Sequence, residues 1–157
     1  MDFMKHRMTA SGLISTIPGL NERLMQVWIN RGVIKVEDKC TGTGKRRLYS
    51  FKEALVIALI HEMTKMSELT KVSGPAASMA ADFFCSDEWV DCPEYILLIH
   101  RQGKKPKMSI VERREFDLDN YRDFVKILDF TKVGNGLMNR LGLKRSWGRV
   151  DQKWTRP

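Results

Sequence analysis

The strongest constraint on this chain lies between residues 9 and 32, where helix starts and helix stops alternate at short range. Thr9 and Ser11 are both good N-cap types, and Leu13, Ile14 and Ile17 follow at helical spacing. Pro18-Gly19 then ends that helix in a tight turn. Asn21 is again a capping residue, with Leu24, Val27 and Trp28 at i, i+3 and i+4 and Met25 beside them. Arg31-Gly32 closes the second helix, because glycine suits the left-handed position after a helix end. Two short helices joined by a turn of a few residues predict a helix-turn-helix.

The next segment changes character. Val33-Ile34-Lys35-Val36 is a short extended piece, Glu37 to Gly44 is polar, and Lys45-Arg46-Arg47-Leu48-Tyr49-Ser50 follows. Gly42 and Gly44 bracket a flexible tip, so the two arms predict a hairpin, or wing. Ser50 caps a third helix from Phe51 to about Met66, apolar on two sides and therefore expected to be buried on both. Ser67 to Val72 could form a further short helix, and Gly74-Pro75 is expected to open another, filled by Ala76 to Phe84. The acidic stretch Cys85 to Cys92 is a candidate boundary.

Beyond it, Tyr95–His100 and Met108–Glu112 predict a second hairpin joined through residues 103–107. Asp117 or Asp119 is expected to cap a helix carrying Tyr121, Phe124, Val125, Ile127 and Leu128, broken at Gly134-Asn135-Gly136. The fold class is thus mainly α with small β: a winged helix-turn-helix followed by a small α+β module of a hairpin plus helix. The division is 1–85 for the winged helix-turn-helix, 93–143 for the dimerisation or interaction module and 144–157 for a basic tail.

Charge narrows the partners. The chain carries 27 Lys and Arg against 19 Asp and Glu, a net charge of +8 over 157 residues. The excess sits in residues 1–80 and 140–157, flanking a slightly acidic middle. A basic surface favours nucleic acid or a membrane. The longest apolar run, Ala54–Ile60, falls far short of the roughly 20 residues a spanning helix needs, so no membrane partner is expected. Met1 to Arg7 lack an apolar h-region, so no secretion signal is expected and the expected location is cytoplasmic and nucleoid-associated. The odd cysteine count (Cys40, Cys85, Cys92) fits reduced thiols.

Enzymatic readings find little support, so the chain is not expected to be an enzyme. There is no phosphate-cradling glycine loop, nucleophile elbow or paired metal-binding histidines; His6, His61 and His100 are scattered, and His61 is expected to be a partly exposed structural residue. No cofactor or metal is expected. Cys85 and Cys92, with six residues between them, keep a metal-responsive reading open.

A helix-turn-helix lays its second helix in the major groove, so the outer face of residues 20–30 would meet base edges. Asn21, Glu22, Arg23 and Gln26 lie there, and Arg and Gln suit bidentate contacts to guanine and adenine. Lys45, Arg46 and Arg47 on the wing suit phosphates or a minor groove. Ser11, Asn21, Arg23, Gln26, Thr43, Lys45, Arg46, Arg47 and Tyr49 form the candidate DNA-binding set, Tyr49 also being expected to pack where the wing meets the third helix.

Gly19 to Ile34 and Gly44 to Leu55 together resemble the DNA-binding domain of MerR-type transcriptional regulators. The shared pattern is a glycine-opened recognition helix with an early arginine, a glycine before the wing, and Arg-x-Tyr leading into the third helix. The resemblance implies that Arg23 is the recognition-helix arginine, Arg47 the wing arginine and Tyr49 the tyrosine that follows it. Val27 and Trp28 stand where the family has an aromatic pair, and the long coiled-coil dimerisation helix is not evident. The expected function is sequence-specific binding of double-stranded DNA by a homodimer to regulate transcription. The alternatives are an excisionase-like or architectural DNA-bending protein, an adaptor that reuses the domain for protein binding, and an effector- or metal-responsive regulator.

Overall fold

A computed structural model describes residues 5–35, 47–66, 70–86, 94–102, 105–120 and 125–143. Over those residues the architecture is mixed α/β, with five α-helices and two small antiparallel sheets. The order is β1 (Arg7–Thr9), α1 (Ala10–Thr16), α2 (Glu22–Asn30), β2 (Leu48–Ser50), α3 (Phe51–Lys65) and α4 (Thr70–Cys85). There follow β3 (Tyr95–Gln102), β4 (Lys105–Glu112), β5 (Val125–Leu128) and α5 (Phe130–Arg140). No helix among the described residues is long and apolar enough to cross a membrane.

The local helix signals act as their chemistry dictates. The Thr9 hydroxyl accepts from the Gly12 N–H at 3.2 Å, and Asn21 Oδ1 accepts from the Leu24 N–H at 2.8 Å, capping α1 and α2. Ser50 and Glu53 form a reciprocal capping box at the head of α3. The Ser50 hydroxyl accepts from the Glu53 N–H, and Glu53 Oε2 accepts from both the N–H and hydroxyl of Ser50 at 2.7 and 2.8 Å. Both side chains are buried, so little water can replace these bonds. Ser50→Ala is expected to lower unfolding free energy by about 1–2 kcal/mol in urea titrations, while Ser50→Thr keeps most of it.

Helix α3 is the axis of the molecule. Eleven of its 15 residues are buried, from Phe51 through Met63, in one core with residues of α1, α2, α4 and α5. Each fully buried Leu, Ile or Phe contributes about 1.5–3 kcal/mol of transfer free energy, so this helix is held by packing all round. One continuous core runs from Met8 and Leu13 through α3 and α4 to Leu97, Phe130 and Leu143, joining the parts before and after residues 86–93.

Several sequence expectations are corrected. Strand β2, the second arm of the expected wing, pairs antiparallel with β1, matching Arg7 with Ser50 and Thr9 with Leu48. Residues 33–35 form no strand, and the rest of the expected wing, residues 36–46, lies outside the described residues. A pairing over three residues between chain segments this far apart leaves no periodic trace in the sequence. Pro75 does not open a helix; it sits inside α4, one turn in, where its missing N–H removes one bond near the helix start. The expected short helix at 67–72 falls partly outside the described residues, and 70–72 belong to α4.

The C-terminal half departs further. Residues 125–128 are not helical but form β5, which pairs with β3 on the side opposite β4, giving the order β4-β3-β5. Ile96, Leu97, Leu98 and Ile99 are all buried, so β3 is apolar on both faces, and it is the central strand, paired on both edges. The expected cap at Asp117 or Asp119 heads only a short 3-10 turn; Asp129 caps the real helix, its Oδ1 accepting from the Lys132 N–H at 2.8 Å. Gly134-Asn135-Gly136 lies within α5 and does not break it. Along edge strand β4, Lys105, Pro106 and Lys107 are exposed, a combination that guards a sheet edge against pairing.

Arg113 fastens the sheet to α5, with its guanidinium 3.0 Å from Glu94 Oε2 and 3.1 Å from Asp129 Oδ2. The hydrogen bond to Glu94 and the nearby Asp129 charge hold the guanidinium more firmly protonated than usual. Thr131 adds a reciprocal pair, accepting from the Tyr95 N–H at 3.0 Å and donating to its carbonyl at 3.1 Å.

Candidate nucleic-acid interface

Helices α1 and α2 meet across a turn whose geometry each residue helps to set. The Leu20 N–H donates to the Ile17 carbonyl at 3.1 Å, and Gly19 takes φ of 81°, a left-handed conformation that a side chain would strain. A Cβ there would also lie 3.3 Å from His61 Nε2. Leu13, Ile17, Leu20, Met25 and Trp28 turn inward and are buried. At the far end of α2, Gly32 is left-handed as expected, and the Val33 N–H returns to the Trp28 carbonyl at 2.9 Å.

His61 ties this pair to α3. Its Nε2 lies 3.1 Å from the Pro18 carbonyl, which can only accept, so Nε2 carries the proton and donates. His61 is buried rather than partly exposed, and its Nδ1 has no hydrogen-bond partner among the described residues. From the C-terminal half, Arg140 donates to the Thr16 carbonyl at 3.4 Å and Lys126 to the Met66 carbonyl at 2.8 Å. Both satisfy carbonyls at helix ends, so α5 and β5 brace the N-terminal helices.

The outer face of α2 is polar and open. Glu22, Arg23, Gln26, Val27 and Asn30 line one shallow depression along it, with Arg23, Gln26 and Asn30 exposed. Asn21 stands at its start, but its Oδ1 is used in the cap, leaving only its amide N–H groups to reach outward. Gln26 donates to Asn30 Oδ1 at 2.8 Å, which orients both amides across one helical turn. Asn30 was not among the residues expected from sequence, although it lies one turn beyond Gln26 on the same face. Glu22 sits in the first turn, where the helix dipole favours its charge.

The remaining candidates are less gathered. Ser11 is exposed on the first turn of α1, its hydroxyl 3.0 Å from that of Thr9. Arg47 is half-buried just before β2, and exposed Arg7 lies on the paired strand β1; Arg7 was missed because a lone arginine carries no pattern. Tyr49 is 2% exposed, so it packs in the core and presents no surface to a ligand. Thr43, Lys45 and Arg46 lie outside the described residues, as do Cys40 and Cys92; Cys85 is half-buried on α4.

Comparison of the chain with protein-family models and with curated proteins returns no match.

Proposed function

We propose that this protein is a winged helix-turn-helix regulator of transcription that binds double-stranded DNA as a homodimer, with α2 as its recognition helix. The observation carrying this reading is the two-sidedness of α2. Met25 and Trp28 bind it to the core, while Arg23, Gln26 and Asn30 form a continuous polar outer face. A helix anchored on one side with an exposed row of hydrogen-bonding side chains on the other suits base edges in a major groove. The net charge of +8 and the basic triplet 45–47 supply attraction to phosphate. The resemblance of residues 19–34 and 44–55 to MerR-type regulators points the same way. A single short helix reads few base pairs, so two-fold pairing of protomers is needed to specify a site.

Selection from a pool of random duplexes, followed by binding titrations at two salt concentrations, tests the proposal. A defined, two-fold-related motif is expected. Arg23→Ala should relax one position of that motif at a cost of about 1–3 kcal/mol. Arg46→Ala with Arg47→Ala should weaken all duplexes alike and make the salt dependence shallower by about two phosphate contacts. Absence of binding to any duplex at low salt would overturn the proposal.

A further inference from the structure

At the C-terminal end of α2 lies a second concavity of about 900 Å³, which shares no lining residue with the depression along the polar row and which the DNA-binding reading does not use. Its walls come from three separate elements: residues 31–35 after α2, the first turns of α3, and residues 74–82 of α4. A volume in this range matches sites that enclose small organic molecules.

The chemistry of the walls selects the class. Val33, Val56 and Pro75 supply an apolar surface, and Gly74 lets α4 approach the Val33 carbonyl, where a Cβ would come within 2.8 Å of the oxygen. Arg31 and Lys35, both exposed, stand along one wall. Lys52 is paired with Asp82 and Glu53 takes part in the capping box, and the lining as a whole carries three cations (Arg31, Lys35, Lys52) against two acids (Glu53, Asp82), which leaves it net positive. We infer that this cleft binds a small amphipathic organic anion, its carboxylate or sulfonate on Arg31 and Lys35 and its apolar body against Val33, Val56 and Pro75. DNA backbone is the poorer fit, because a concave, apolar wall contributes nothing to a phosphate. Arg31 is the C-cap of α2, so an occupant would touch the chain at the end of the recognition helix.

The fluorescent anion 8-anilinonaphthalene-1-sulfonate provides the probe, used on the full chain without DNA. Saturable enhancement is expected, with displacement by 2-naphthoate and not by uncharged 2-naphthamide. Arg31→Ala with Lys35→Ala should weaken binding about tenfold or more, the loss of hydrogen bonds to a charged group. Ser78→Trp, at an exposed position on the cleft wall, should fill the cavity and abolish binding without unfolding the protein, as circular dichroism would check. Lack of saturable enhancement would overturn the inference, as would equal displacement by amide and acid or full binding to the Ser78→Trp protein. Because no arm contains DNA, these results stand apart from the fate of the DNA-binding proposal.

Discussion

Replacing Gly134 by valine is expected to destabilise the protein by about 3 kcal/mol, although the same residue elsewhere in a helix would be a mild improvement on glycine. A Cβ built on Gly134 would lie 2.4, 2.6 and 2.9 Å from three ring carbons of Phe84. Phe84 is fully buried in α4 and lies 6.3 Å, centroid to centroid, from Phe51 at the head of α3. Its ring therefore cannot swing aside without disturbing the helix it packs on. Gly136, two residues further along α5, supplies the control: nothing lies within 4 Å of its added Cβ. Gly136→Ala should raise stability by up to about 1 kcal/mol, the ordinary propensity gain. Urea denaturation followed by circular dichroism measures both. Equal effects at the two positions would mean that α5 does not approach α4 through Gly134.

The same glycines explain where sequence reasoning succeeded and failed. It succeeded where the signal was local: the caps at Thr9, Asn21 and Ser50 and the stop at Gly32 each act on their own helix. The two-sided burial of α3 was legible because its apolar residues cover more than one face. The signal misled where a residue serves a distant partner. Gly134 reads as a helix breaker in isolation, yet it answers to Phe84 in another helix. Residues 125–128 carry an apolar pattern compatible with helix or strand, and the choice was made by the open edge of β3. His61 looked exposable because the carbonyl it binds, on Pro18, is 43 residues away in the chain. At the candidate interface, Asn21, Arg23 and Gln26 were legible from the period of α2. Arg7 is brought beside β2 only through the pairing of β1 with β2.

Trp28→Ala is expected to give the largest effect of any single substitution, a loss of about 3–5 kcal/mol, because it removes the largest fully enclosed side chain between α2 and α3. Its ring lies 6.3 Å from the imidazole of His61, and its carbonyl accepts from the Val33 N–H that closes α2. A cavity there would loosen both the helix that presents Arg23 and the contact that holds the turn at Pro18. Trp28→Phe, which fills most of the space, should cost clearly less. Arg23→Ala should change stability by no more than about 0.5 kcal/mol, since its side chain is exposed. Trp28→Ala should weaken the proposed DNA binding both through loss of folded protein and through the loosened helix, so its effect diminishes but does not vanish on cooling toward the stability maximum. A Trp28→Ala protein as stable as wild type would show that α2 is not anchored on α3, and a polar row on a loosely held helix could not specify a DNA sequence.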